Sequence, residues 1–125
     1  MSDPTAEFFA RLGRRGHEPL LEEVTGTIRF DLAHEHGIDR WFLEISQGDL
    51  RVSREEREVD CVIRTSRDLF DRLAKGQEDQ YAAWVRNEIR AEGEARLAYL
   101  LQRVLPGPPG AHHPRAFAPE RRGPA

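Results

Sequence analysis

The chain has 125 residues, of which 38% are hydrophobic and 33% charged, with a net charge of −3 and a mean hydropathy of −0.68. That composition builds one domain with a real core and a solvated surface. It excludes a fibre, a collagen or an apolar run of the roughly 18 residues that a membrane-spanning helix needs. With 22 acidic against 19 basic residues, the chain lacks the basic excess that affinity for a phosphate backbone demands, so no nucleic-acid partner is expected.

The opening residues, Met1 to Glu7, have neither the basic n-region nor the apolar stretch of a secretory signal. The single cysteine, Cys61, excludes an internal disulfide, and a cytoplasmic location is the expectation. Residues 1–23 read as an N-terminal helix and its connection, residues 24–105 as the domain body, and residues 106–125 as a tail. Asp3 is placed to cap the first helix, with Pro4 at its first position and Phe8, Phe9 and Leu12 on one face. Gly13 and Gly16 are expected to stop it.

The hydrophobic period then changes to two. Ile28, Phe30 and Leu32 share a face in a first strand over residues 26–33, and Trp41, Leu43 and Ile45 do so in a second over residues 40–46. Ser46-Gln47-Gly48-Asp49 then reads as a hairpin turn to a short third strand carrying Leu50 and Val52. Beyond the charged loop of residues 54–58, a fourth strand turns Val59, Cys61 and Ile63 inward. These strands read as an antiparallel meander, apolar on one face and wet on the other.

Helical spacing returns at Ser66, a cap for Leu69, Phe70 and Leu73, with Lys75 and Gly76 closing the helix. A second short helix groups Tyr81, Trp84 and Val85. Asn87 tolerates the left-handed turn into a fifth strand around residues 88–92. The last helix, from about Gly93, carries Leu97, Leu100, Leu101 and Val104 at i, i+3, i+4 and i+7, with Glu92 and Glu94 at its start and Arg103 near its end, as the helix dipole favours. The fold class is α+β, an α/β sandwich: a mainly antiparallel sheet of about five strands with one face covered by helices.

The tail holds six of the eight prolines and little to bury apart from Phe117, so it reads as a flexible segment; a docking peptide anchored by Phe117 is the alternative. The adjacent His112 and His113 lack further ligands at a metal-binding spacing. His34 and His36, flanking Glu35 at a predicted turn, share the same weakness. Cys61 alternates with Val59 and Ile63 and reads as a buried, inert thiol. His17 follows Arg14 and Arg15 in a polar connection, and the pairs Glu22-Glu23 and Glu55-Glu56 flank strands as solubilising charge. There is no Gly-rich phosphate loop, no nucleophile elbow and no Cys-x-x-Cys. No catalytic set converges, and neither an enzyme activity nor a cofactor or metal is expected. Phe8, Phe9, Phe30, Trp41, Phe42, Phe70, Tyr81 and Trp84 supply an aromatic-rich interior, which composition alone explains as a filled core.

The wording of residues 24–105 goes further. Val24-Thr-Gly-Thr-Ile-Arg-Phe-Asp-Leu, Trp41-Phe-Leu-Glu-Ile and Gly48-Asp-Leu-Arg-Val-Ser resemble the opening meander of the sterol carrier protein family, type two. The run from Val59 to Gly76 is similar to that family's acidic strand and Ser-capped helix. Residues 83–93, Ala-Trp-Val-Arg-Asn-Glu-Ile-Arg-Ala-Glu-Gly, are similar to its aromatic-to-strand-to-Glu-Gly segment.

The resemblance implies helices over a five-stranded sheet and non-enzymatic binding and transfer of a lipid, a fatty acyl chain or a sterol-like molecule, in an apolar tunnel between the layers. Carried over by position, Leu69, Phe70, Leu73, Tyr81, Trp84, Leu97, Leu100, Leu101 and Val104 would line that tunnel opposite Phe30, Leu43 and Ile63. Burying about ten methylenes releases roughly 8 kcal/mol, so micromolar binding needs no polar recognition. Besides the hydrophobic ligand, the resemblance leaves room for a transient membrane or protein partner.

Asn87 stands where the family usually has glycine, the chain ends in Gly-Pro-Ala rather than a peroxisomal address, and Arg64, Arg67 and Arg72 add charge beside the covering helix. A fold does not fix a function. The alternative is a protein-interaction or pathway-accessory domain whose core is closed by its own side chains.

Overall fold

The structure, a computed structural model, describes residues 3–101. Helix α1 spans Pro4–Arg15: the Asp3 carboxylate accepts from the Ala6 N–H, and Gly16, at φ 70°, ends the helix with its own N–H on the Leu12 carbonyl. Gly13 does not stop it. A glycine inside a helix costs propensity but breaks nothing, and only Gly16 takes the left-handed conformation that a helix terminus exploits. A 3₁₀ turn at Pro19–Leu21 leads into the sheet.

Strands β1 (Thr25–His34) and β2 (Gly37–Ser46) pair antiparallel along their full length about the Glu35-His36 turn. β2 returns through Gln47 and Gly48, both at positive φ, into β3 (Asp49–Ser53). Here the expectation of a continued antiparallel meander fails. Strand β4 (Cys61–Ser66) lies on the other side of β1 and parallel to it, with Ile28 opposite Cys61.

The register explains how so short a connection makes that crossing. Ser53 is level with Phe42, Phe42 with Arg29, and Arg29 with Val62, so β3 ends where β4 begins. Residues 54–60 need only cross three strand spacings, about 14 Å, well within the reach of about 23 Å for seven extended residues. The charged loop of residues 54–58 is part of a strap, and those residues remain exposed. Arg57 pairs with Glu44 at 3.1 Å and Glu56 with Arg40 at 3.5 Å, while Thr27 donates its backbone N–H to the Asp60 carboxylate at 2.9 Å. Glu44 and Arg40 flank Phe42 on the face away from the helices, and Phe42 is only 1% exposed there. Val59, expected in the strand, belongs to this strap and is partly buried.

Helix α2 (Arg67–Ala74) follows β4 directly, its Leu69 N–H received by the Ser66 hydroxyl. Helix α3 spans Gln80–Val85. Its buried face carries Gln80 and Ala83, so Tyr81 and Val85, one turn apart on the other side, are 44% and 69% exposed. Of the expected tunnel-lining pair on this helix, Trp84 packs against the core and Tyr81 faces outward: in a helix of under two turns, a rotation of one residue decides which side is wet. Asn87, at φ 64°, turns the chain into β5 (Arg90–Gly93), antiparallel to β4. Helix α4 (Ala95–Leu101) starts after Gly93 rather than at it.

The sheet order is β3-β2-β1-β4-β5. α1, α2 and α4 all pack on its inner face. There Ile28, Phe30, Leu32, Leu43, Ile45, Cys61 and Ile63 meet Phe8, Phe9, Leu12, Leu69, Phe70, Leu73 and Leu97 in one continuous cluster. α1 is tied to α2 by polar contacts at its rim. Thr5 donates to Asp71 at 2.6 Å, and Arg67 reaches both Asp3 at 2.7 Å and Asp39 at 2.6 Å.

Candidate functional site

A site for a hydrophobic molecule has to be assembled from the alternation of the strands and the apolar stripes of the helices. Phe30, Leu43 and Ile63 are the inward members of three adjacent strands, level or nearly so through the pairings Phe30–Ile63 and Ile28–Leu43. Over them α2 presents Leu69, Phe70 and Leu73 at i, i+1 and i+4, and α4 presents Leu97. All seven are buried in the same cluster. Trp84 packs against that cluster while remaining partly open. Tyr81, expected beside it, is not part of it. Leu100 and Leu101 belong to α4, and Val104, His112, His113 and Phe117 lie outside the described residues.

Two half-buried edges of the cluster go beyond the site residues expected from sequence. On the β3 side, Phe9, Trp41 and Val52 form the floor of an open groove of about 410 Å³, completed by Ala6, Ala10, Gly13 and Arg14. Phe9 stacks on Trp41, and the Arg54 guanidinium lies 4.2 Å from the Trp41 ring centroid. On the β5 side, a groove of about 550 Å³ is lined by Trp84, Asn87, Ile89, Arg90, Ala91 and Glu92. Trp41, Val52, Trp84 and Ala91, which line these grooves, are the partly buried residues packed against the core. The apolar interlayer therefore reaches the surface at both margins of the sheet. Across five strands that is about 19 Å. The signal in the sequence is the position of Trp41 and of Ala91 on the inward face of outlying strands, where an aromatic or aliphatic side chain is only partly covered.

Apart from Cys61 and Thr65 on the inner face of β4, the polar groups described next stand around this layer. Asp31, on the outer face, is buried among Arg29 at 2.8 Å and Arg40 and Arg64, each at 3.5 Å. His34, at the β1–β2 turn, bonds Asp39 at 3.2 Å, while His36 lies 3.4 Å from Glu35 at the surface. His17 spans two carboxylates, Glu22 and Asp49, each at 2.8 Å, and clamps the segment before β1 to the β2–β3 turn. Those two partners, Glu22 first, raise its pKa above the ordinary value. Burial pushes the Cys61 thiol up, with Glu94 and Asp60 adding to the effect and a backbone bond at Ala98 opposing it. Among the described residues, no three His, Cys, Asp or Glu side chains gather to hold a metal ion, and no helix is long and apolar enough to cross a membrane. What this arrangement offers chemically, among the described residues, is apolar contact area on the inner face.

A family model described as the SCP-2 sterol transfer family matches residues 8–106. No curated relative matches the chain. Among solved structures, palmitated SCP2L2 from Aedes aegypti is similar at 18% identity, covering 90% of this chain and 100% of that one, with a TM-score of 0.65. Sterol Carrier Protein-2 from Aedes aegypti in complex with palmitate is 18% identical, covering 81% and 93%, with a TM-score of 0.61. A sec-alkyl sulfatase contains the same architecture in 16% of its length, matching 82% of this chain at 15% identity and a TM-score of 0.59.

Proposed function

The chain belongs to the SCP-2 sterol transfer family, and on that premise we propose that it binds and transfers a lipid or other hydrophobic small molecule, of fatty acyl or sterol-like type, without acting on it chemically. One observation carries this reading: the apolar interlayer is continuous from the Trp41 groove to the Trp84 groove. A hydrophobic chain entering from either groove has to part the side chains of Phe30, Leu43, Ile63, Leu69, Phe70, Leu73 and Leu97, which now contact one another, and each methylene it then buries contributes about 0.8 kcal/mol. Such a site reads length and shape more than identity. The palmitate held by the mosquito protein of the same fold supports an acyl ligand.

The second reading is an accessory or interaction domain with a closed core. It is favoured by how fully the inner-face side chains already contact one another, and by the presence of this fold inside a larger sulfatase.

The two separate on one experiment. The purified protein is denatured, extracted with organic solvent and compared with a mock preparation by mass spectrometry. Stoichiometric acyl or sterol-like material is the expected result. An empty extract, together with failure to bind a fluorescent acyl probe, overturns the carrier reading and leaves the closed domain. Trp84→Ala is expected to weaken probe binding while the protein still unfolds cooperatively.

A further inference from the structure

We propose that the free edge of β5 is an interface with a second copy of this chain, formed by antiparallel β5–β5 pairing centred on Ala91. It rests on strand geometry and charge and not on the lipid reading, although the paired edge borders the Trp84 groove. Among the described residues β5 is the last strand in the sheet order, paired with β4 on one side only. The open groove there is lined by Ile89 and Ala91, which face the helices, and also by Arg90 and Glu92, which face the other way. A single space that touches residues of both faces lies alongside the strand's edge, so the edge itself is accessible. An accessible edge is a template for another strand.

The charges on that edge select the occupant. Arg90 is exposed and its opposite number on β4 is Arg64, a like charge. Arg64 is itself engaged by Glu92 at 2.5 Å, and Arg90 makes no ion pair among the described residues. It is a cation without an anion beside a carboxylate that has one. A two-fold pairing about Ala91 corrects this twice. Residue 90 of one copy then falls opposite residue 92 of the other, so each Arg90 meets Glu92 of the second copy, and small Ala91 side chains meet at the axis. Opposite charges directly across an antiparallel pair stabilise it, and like charges destabilise it. The patch is self-complementary, which an isologous dimer requires. A one-residue shift of register would set Ala91 against a charged residue and lose both pairs.

The ladder is short, because β5 has only four residues and the last of them, Gly93, is at φ 90°, so association is expected to be weak and concentration-dependent. Sedimentation equilibrium on the full chain tests it. Wild type is expected to fit a monomer–dimer equilibrium that weakens with salt. Arg90→Glu and Glu92→Arg alone are each expected to raise the dimer dissociation constant at least tenfold. Mixed one to one, they restore association as a heterodimer, because positions 90 and 92 of the one copy are then both acidic and face two basic positions of the other. The double variant R90E/E92R is expected to dimerise as wild type does.

Circular dichroism establishes that each variant is folded. Should either charge reversal fail to fold, Arg90→Gln and Glu92→Gln replace them, each expected to weaken the dimer. A wild type that is monomeric at every concentration overturns the proposal. A dimer that none of these substitutions weakens overturns it equally, since its interface is then elsewhere.

Discussion

Phe9 lies flat on the Trp41 indole, ring centroids 4.5 Å apart and planes 10° from parallel. Trp41 is thereby fixed at one margin of the apolar interlayer, as Trp84 is at the other. The two are the only tryptophans in the chain, so each margin carries its own fluorophore. In Trp41→Phe and Trp84→Phe, the remaining indole is expected to change emission on adding an acyl probe, in both variants. A response from Trp84 alone would confine the ligand to the β5 side, and no response from either would contradict a chain lying in this layer.

Two glycines are expected to respond to alanine with opposite signs. At Gly13, inside α1, an added Cβ meets only Val52 at 3.9 Å, ordinary contact. Gly13→Ala is therefore expected to stabilise by about 0.5–1 kcal/mol, through lower entropy of the unfolded chain and better helix propensity. At Gly93, φ is 90° and a Cβ would stand 2.4 Å from the Asp60 carbonyl oxygen. Neither group has a flexible end to yield, so Gly93→Ala is expected to cost at least about 1–3 kcal/mol. Urea titrations of both variants decide the signs; two destabilised proteins would contradict the stated packing around α1.

Stability is expected to peak in mild acid. His17 has its pKa raised above the ordinary 6.5 by Glu22 and Asp49. A raised pKa means that the folded state holds the proton more tightly, so this contribution is complete below about 6.5 and is lost as pH rises through the folded value. Asp3 is displaced the other way, below its ordinary 3.8, by the Ala6 N–H it caps and by Arg67. Its contribution is complete above 3.8 and fades as pH falls through the folded value. Thermal melts against pH should show the gentle alkaline fall, and His17→Gln should remove it. A variant whose alkaline limb matched wild type would show that His17 is not its source.

Cys61 is 1% exposed on the inner face of β4, and burial raises its pKa. With little thiolate and no access, it is expected to react with an alkylating reagent only as fast as the protein opens. The alkylation rate should rise in step with denaturant. Rapid labelling of the native protein would mean that the inner face is open to water at α4.

The inward residues of β1 to β4 and the capped helix α2 are legible in the sequence because each obeys one strong period and one clear terminus signal. Legibility ends where two faces compete. Phe42 alternates outward yet is 1% exposed, on the face where the strap of residues 54–60 pairs with Arg40 and Glu44. Tyr81 is expected beside Trp84 in the layer because helical spacing locates a stripe but not which side the rest of the molecule covers. The direction of β4 is equally beyond reach, since alternation of side chains is the same in parallel and antiparallel strands. For the candidate site, the layer residues are legible and its margins are not: whether Trp41 or Ala91 is half-covered depends on which strand ends the sheet.

The parallel placement of β4 beside β1 also has a meaning in time. β1 finds β2 within a two-residue turn, but its other neighbour is still unmade when that hairpin is complete. At roughly 5–20 residues per second, the chain from His34 to Ser66 takes about 2–6 s to synthesise. Throughout that interval the strand destined for the centre of the sheet is an outer one, with Ile28, Phe30 and Leu32 uncovered. The nascent protein is therefore most vulnerable to aggregation in the residues that are best protected once it is finished.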